Sequence, residues 1–193
     1  EGVRVAFECG VDSIEHGAAP TDEVMHLFKE GQSFLCTTLS PALPYALFDR
    51  SVSCASEVEQ FNGNMVFEGI IANAKAALKQ GVPVALGNDV GCPWITQYDF
   101  WRELCYFEKY VGASRSFALH TATLRNAQLA GIGDITGSIE VGKEADMIVT
   151  AANPLDDLRA LRTVKHVIHR GNLIAKPRVK RKAAIDRELD KFL

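Results

Sequence analysis

The chain has 193 residues, 47% of them hydrophobic and 23% charged, which is enough to bury a core and excludes disordered or collagen-like chains. Its 21 Lys and Arg against 24 Asp and Glu leave a formal net charge of −3, which gives no general pull toward nucleic acid or an anionic membrane. No run approaches the ~20 apolar residues of a membrane-spanning helix. The five cysteines (Cys9, Cys36, Cys54, Cys92, Cys105) form no CxxC pair, which argues for a reducing, cytoplasmic setting rather than a disulfide framework or a cysteine zinc site.

The chain opens on Glu1 with neither an initiator Met nor a signal-peptide pattern, so a piece of a longer polypeptide is expected. Residues 11–16 (VDSIEH) read as a short strand ended by Gly17. Thr21 or Asp22 can cap a helix through residue 30, stopped by Gly31. Residues 33–39 (SFLCTTL) have a buried-strand pattern ended by Pro41. Residues 41–63, with Pro41, Pro44 and Gly63, read as a loop, followed by a helix over about 65–80 that Gly81 stops. Residues 82–86 (VPVAL) form a third strand closed by Gly87. Strands separated by helices imply parallel βα units.

Helices are then predicted over 98–111 and from a Ser114 cap to about residue 130, ended by Gly131. Beyond them Gly137, Gly142 and Gly171 punctuate short extended runs at 138–140, 146–150 and 163–169, read as antiparallel strands of a small second unit. Residues 176–193 read as a charged helical tail. Its five basic residues in seven (176–182) are taken as a solvated surface.

Two strand ends are chemically conspicuous. His16 closes the first strand, and strand alternation puts it on one face with Asp12 and Ile14. It is either a capping or core histidine, or a metal ligand at the carboxyl end of a strand, where parallel barrels place reactive groups. Asp89, in Gly87-Asn88-Asp89-Val90-Gly91, follows an apolar run directly. It is either a turn aspartate bonding its own backbone, or a carboxylate at a barrel mouth able to bind a metal and move a proton.

Other signals are weaker. His166 and His169 lie three apart on a strand, hence on opposite faces, and are read as surface residues. Gly131-Ile132-Gly133 follows a helix rather than a strand and is a stop and turn, not a dinucleotide fingerprint. His120 is expected to pack within its helix. Cys92, Pro93, Trp94 and Thr96 can wall a substrate pocket, whereas Phe100 and Phe107 belong to a helix face. Glu15 points away from His16 and is read as a structural partner in the sheet wall.

Taken together, residues 11–17 (VDSIEHG), 84–89 (VALGND), 120–127 (HTATLRNA) and 137–149 (GSIEVGKEADMIV) resemble the amidohydrolase superfamily, in particular its imidazolonepropionase-related and Xaa-Pro dipeptidase-like metal-dependent hydrolases. The likeness runs over about residues 3–175, and the 137–146 segment is its most specific part. It implies an α/β fold: the C-terminal part of a (β/α)8 barrel, strands six to eight, over residues 1–136. The C-terminal part of a small β-sandwich follows over 137–175, then a charged tail over 176–193. It implies that His16 is a zinc ligand and that Asp89 is both a metal-site and a catalytic residue. Asn88 departs from the Thr more usual before that Asp.

The resemblance further implies one or two divalent metals, Zn2+ being expected, that lower the pKa of a bound water. Asp89 takes the proton and passes it to the leaving amine. The family's first-strand HxH pair, fourth-strand carboxylated lysine and fifth-strand histidine have no counterpart here, since His26, His120, His166 and His169 form no HxH. They are expected upstream, in an N-terminal half of the barrel on the same or a separate chain. The expected function is hydrolysis of an amide or peptide C–N bond in a small substrate of dipeptide or N-acyl amino acid type. The alternatives are a deaminase or cyclic-amide hydrolase of the same superfamily, or a catalytically incomplete fragment or assembly subunit. A homo-oligomer is expected, with no nucleic-acid or membrane partner.

Overall fold

The computed structural model describes residues 1–193 apart from residues 18 and 19. Its first part runs α1 (Gly2–Glu8), β1 (Ser13–Glu15), α2 (Asp22–Gly31), β2 (Phe34–Thr37), α3 (Leu39–Leu47), α4 (Arg50–Ser53), α5 (Glu57–Gln80) and β3 (Val84–Leu86). The three strands form one parallel sheet in chain order, with Ile14 opposite Leu35 and Cys36 opposite Ala85. Parallel neighbours need crossovers, and α2 and α5 lie within the two connections. Thr21 caps α2 by accepting from the Val24 N–H, and Met25 and Phe28, three apart, bury its inner face. Leu35, Val84 and Leu86 share a core with Leu39, Leu43, Ile70, Ala74 and Ala77.

Residues 41–63, read from sequence as a loop, are largely helical. Pro41 sits in the first turn of α3, where its missing N–H costs nothing, and Pro44 lies inside the same helix, where it forfeits one internal bond. The fully buried Leu39 and Leu43 hold α3 in place. The long helix α5 begins at 57, not 65: Ser56 and Glu59 form a capping box, each side chain accepting from the other's backbone N–H. Gly63 is not a break. A Cβ there would lie 2.6 Å from Tyr45 Cβ and 2.9 Å from the Tyr45 carbonyl carbon, so this glycine lets α5 cross close against the backbone of α3.

The helices expected over 98–111 and 114–130 are present, but each carries a π turn. α6 (Phe100–Tyr106) runs into a π segment at Phe107–Val111. α7 (Arg115–His120) runs into another at Thr121–Arg125, then α8 (Asn126–Leu129). β4 (Met147–Thr150), β5 (Val164–His169) and β6 (Asn172–Ile174) form a separate antiparallel sheet in that order. Residues 138–140 are not a strand; Ser138 instead donates to Glu140 and accepts from Lys143. β6 is an addition. The positive φ of both Arg170 and Gly171 makes the two-residue turn that joins it to β5.

The C-terminal segment departs most from its reading as a solvated tail. Residues 176–182 are not helical. α9 (Ala183–Leu189) docks through the buried Leu189 and through Asp186. Asp186 and Asp190 lie 3.1 and 2.5 Å from the guanidinium of Arg102, which is fully buried in α6 with Asp99 at 3.3 Å. Phe192 stacks on Phe48 at 5.4 Å between ring centroids. Among the described residues, no helix is long and apolar enough to cross a membrane.

Candidate active site

The carboxyl ends of β1, β2 and β3 each deliver one polar side chain to the same rim: His16, Thr38 and Asp89. The His16 N–H still bonds to the Cys36 carbonyl at 3.0 Å, yet His16 leaves the strand with φ +64°, and Asp89 has φ +50°. The strand stops at Glu15, so His16 does not continue the alternation of Asp12 and Ile14 expected for it. Left-handed backbone at a non-glycine residue costs on the order of 1–3 kcal/mol and clusters at working sites. Here it turns two side chains toward each other. His16 Nε2 lies 3.9 Å from Asp89 Oδ2, and the side chains are 50% and 44% exposed. That separation is too long for a direct hydrogen bond.

The other ring nitrogen, His16 Nδ1, is 2.5 Å from Thr38 Oγ1. Asn73, on the buried side of α5, donates to the Gly17 carbonyl at 2.9 Å and fastens the turn behind His16. Asp89 Oδ2 accepts from the Cys92 thiol at 3.3 Å. Burial, the bond to Asp89 and that carboxylate's charge all hold the Cys92 pKa above its usual value. Just before the Asp89 turn, the Asn126 side chain accepts from the Leu86 N–H at 2.9 Å and donates to the Leu86 carbonyl at 2.8 Å. Asn88 is buried beneath the turn, beside Ser40, Asp99 and Tyr106.

An open cavity of about 390 Å3 adjoins His16, walled by Pro41, Tyr45, Val66, Ile70 and Cys92. Of the loop expected to wall a pocket, Cys92 lines this cavity. Trp94 packs edge-on against Phe48, at 5.0 Å, and Thr96 is buried and donates to Asp99.

Beneath the rim lies a carboxylate that sequence reading passed over. Glu103 is fully buried and accepts from the Leu39 N–H (2.6 Å), the Ser40 N–H (2.8 Å) and the Ser40 hydroxyl (2.5 Å). Burial pushes its pKa up to about 7 against those three bonds, which favour the ion. Its signal in the sequence was a charged pair, Arg102-Glu103, inside an otherwise apolar helix (FWRELCYF). Thr38 had a signal too, as the polar residue ending the middle strand.

The remaining histidines lie apart from the rim. His166 Nδ1 bonds to the Ala175 carbonyl, His169 pairs with Asp146, His26 pairs with Glu30, and His120 is exposed rather than packed. Glu15 is exposed and accepts from Ser13. Among the described residues, no three His, Cys, Asp or Glu side chains converge as a metal cage.

The sequence profile of the amidohydrolase family matches residues 10–174. Ochratoxinase of Aspergillus niger is 28% identical over 171 residues, 87% of this chain and 34% of the enzyme. The crystal structure of a candidate prolidase from Bifidobacterium longum superposes with a TM-score of 0.95 at 41% identity, covering 99% of this chain and 48% of that one. A Xaa-Pro dipeptidase with methionine bound in its active site gives 0.79 at 32% identity, covering 90% and 42%. The chain thus spans half or less of the length of these relatives. With the profile spanning most of its residues and parallel strands presenting polar groups at one rim, the chain belongs to the amidohydrolase family and carries part of its barrel-type domain.

Proposed function

We propose that this chain supplies part of the active site of a metal-dependent hydrolase that cleaves an amide or peptide C–N bond in a small substrate of dipeptide or N-acyl amino acid type. The observation that carries the reading is His16 Nε2 facing Asp89 Oδ2 across 3.9 Å, each held in left-handed backbone at the end of a parallel strand. The dipeptidase and ochratoxinase resemblances support the substrate class. In this reading β1, β2 and β3 are the sixth, seventh and eighth strands of a (β/α)8 barrel occupying residues 1–136. Residues 137–175 belong to a β-sandwich and 176–193 to a terminal segment. An N-terminal half, on the same or another chain, completes the ring, and the assembled enzyme is a homo-oligomer.

The donors suit a divalent metal, with zinc the first choice. An imidazole nitrogen and a carboxylate oxygen each bind Zn2+ at roughly 2.0–2.2 Å, so a 3.9 Å separation lets one ion reach both. A tight catalytic site uses at least three protein ligands, and the others would come from the N-terminal half. When bound, the metal supplies a water acidic enough to ionise near neutrality and polarises the scissile carbonyl. The Asp89 side chain is 44% exposed, so a water and a substrate could reach it. With a metal bound, it would take a proton on one carboxylate oxygen and deliver it to the leaving nitrogen. Thr38 and the Cys36 carbonyl hold His16, while Asn126 holds the strand end that leads to Asp89. A second reading is deamination or cyclic-amide opening; a Teredinibacter turnerae 5-methylthioadenosine/S-adenosylhomocysteine deaminase, 37% identical over 89 residues, favours deamination.

The test uses the complete polypeptide. Xaa-Pro dipeptides and N-acyl amino acids should release their amine products, whereas ammonia release from purine substrates would favour the second reading. Asp89→Asn keeps the shape of the side chain but cannot take the proton. It should lower kcat by ~10² to 10⁴, and a near-normal kcat at matched metal occupancy removes Asp89 from the chemistry.

A further inference from the structure

Thr38 occupies the N-cap position of α3, where a threonine ordinarily turns its hydroxyl back to accept from the N–H groups of the first turn. It does not do so here: no side-chain capping bond forms, and Thr38 Oγ1 lies instead 2.5 Å from His16 Nδ1, across a sequence separation of 22 residues. The capping is done from elsewhere. Glu103, fully buried in α6, accepts from the first two N–H groups of α3, those of Leu39 and Ser40. A carboxylate at that point is also the charge that a helix N-terminus favours. Both groups are buried, Thr38 at 3% exposure and Glu103 at 0%, so neither arrangement is an incidental surface contact.

We infer that Thr38 is a positioning residue for His16, and that Glu103 frees it for that role by capping α3 in its place. With Nδ1–H donating to Thr38 Oγ1, the lone pair of Nε2 points toward Asp89, which is the tautomer a ligand nitrogen needs. The Thr38 hydroxyl hydrogen then turns elsewhere. Among the described residues Glu103 bonds to Leu39 and Ser40 and to neither His16 nor Asp89, so it acts through the turn at Thr38. The inference rests on reading His16 as a metal ligand, and the test separates the two claims.

The experiment measures Zn2+ affinity of the complete, metal-stripped polypeptide by competition with a chromophoric chelator, together with the melting temperature of each metal-free variant. His16→Asn is the control for the ligand reading and should abolish tight binding. Thr38→Val should weaken Zn2+ binding by roughly 10- to 100-fold. Thr38→Ser, which restores the hydroxyl, should recover wild-type affinity to within about threefold of the native value. Glu103→Gln should weaken binding in the wild type by roughly tenfold and add little in the Thr38→Val background, because it works through that hydroxyl.

If His16→Asn loses affinity while Thr38→Val does not, the positioning claim is wrong. If Glu103→Gln lowers only the melting temperature, Glu103 is structural and its half of the claim falls. If His16→Asn binds Zn2+ as the wild type does, the metal-ligand reading itself fails. Nitrogen NMR of histidine-labelled, metal-free wild type needs no variant to fold. A proton on Nδ1 of His16 supports the inference, and a proton fixed on Nε2 overturns it.

Discussion

A fully buried carboxylate ringed by three donors is pulled two ways, and at Glu103 burial prevails: its pKa rises from 4.5 to about 7. The folded chain therefore holds a proton there between those two values that the unfolded chain releases. A state that binds more protons is weakened as pH rises, so this group contributes stability that is fully present below pH 4.5 and lost as pH climbs to about 7. Melting temperatures of wild type and Glu103→Gln across that range should converge toward a smaller gap as the pH rises, on top of a constant offset. The offset arises because the glutamine NH2 would face an N–H donor, leaving buried groups unpaired at about 1–3 kcal/mol. A difference curve that is flat between pH 4.5 and 7 removes the titration claim. At this scale the sequence was readable where a polar residue lies just past a strand end, as with His16 and Asp89, which the structure brings to one rim. Glu103 escaped because its partners lie 63 and 64 residues away, and its neighbours Trp101, Leu104 and Cys105 present it as one charge in a helix face.

The crossing of α3 and α5 turns on one missing methyl group. Replacing Gly63 with alanine would gain about 1 kcal/mol of helix propensity on an exposed helix. Here the new Cβ would meet Tyr45 Cβ at 2.6 Å and backbone at 2.9 and 3.2 Å, and backbone cannot rotate away. Overpacking of this kind costs about 1–3 kcal/mol. Gly63→Ala should therefore lower the denaturation midpoint, and a raised midpoint would show that the helices separate freely. The same contact explains a misreading. Gly63, Pro41 and Pro44 are loop residues by local preference, and tertiary packing overrides them: Pro41 falls where a helix needs no N–H, and Gly63 where it needs no side chain. Helices with ordinary caps, such as α2 behind Thr21 and α7 behind Ser114, were legible within a residue or two. The hairpin to β6 was missed because Arg170-Gly171 is not among the commonest turn pairs, although its glycine fits the required φ.

Across the whole molecule, Arg102 ties α6 to the C-terminal helix. It is 1% exposed and faces Asp99, Asp186 and Asp190. Replacing it with methionine keeps the volume but strands buried acids without a cation, at a cost of about 3–5 kcal/mol. Arg102→Met should unfold at distinctly lower denaturant, and amide exchange should quicken first in α9. Asp190→Asn should cost less, since that carboxylate is a third exposed and also reaches Arg162. Equal losses from the two substitutions would show that burial is not what makes the pair matter. The terminal segment reads as a solvated tail because its charges are visible in sequence and their partner, 84 to 88 residues upstream, is not.

The Asn126 amide has a consequence for how the parallel sheet can grow. In β3, residues 83, 85 and 87 bond to β2, so Leu86 turns its N–H and C=O to the outer side. There one side chain satisfies both. A strand laid along that margin, whether from a preceding part of the polypeptide or from another molecule, cannot pair at Leu86, and Val84 beside it is buried. Annealing along β3 is thus blocked at the end that carries Asp89. At the margin of β1, where Ser13 and Glu15 turn outward, the Glu15 carbonyl accepts from the Gly17 N–H at 2.8 Å. The two borders of the sheet end differently: a side-chain amide takes up both polar groups of Leu86 in β3, and a backbone N–H takes up the carbonyl of Glu15 in β1.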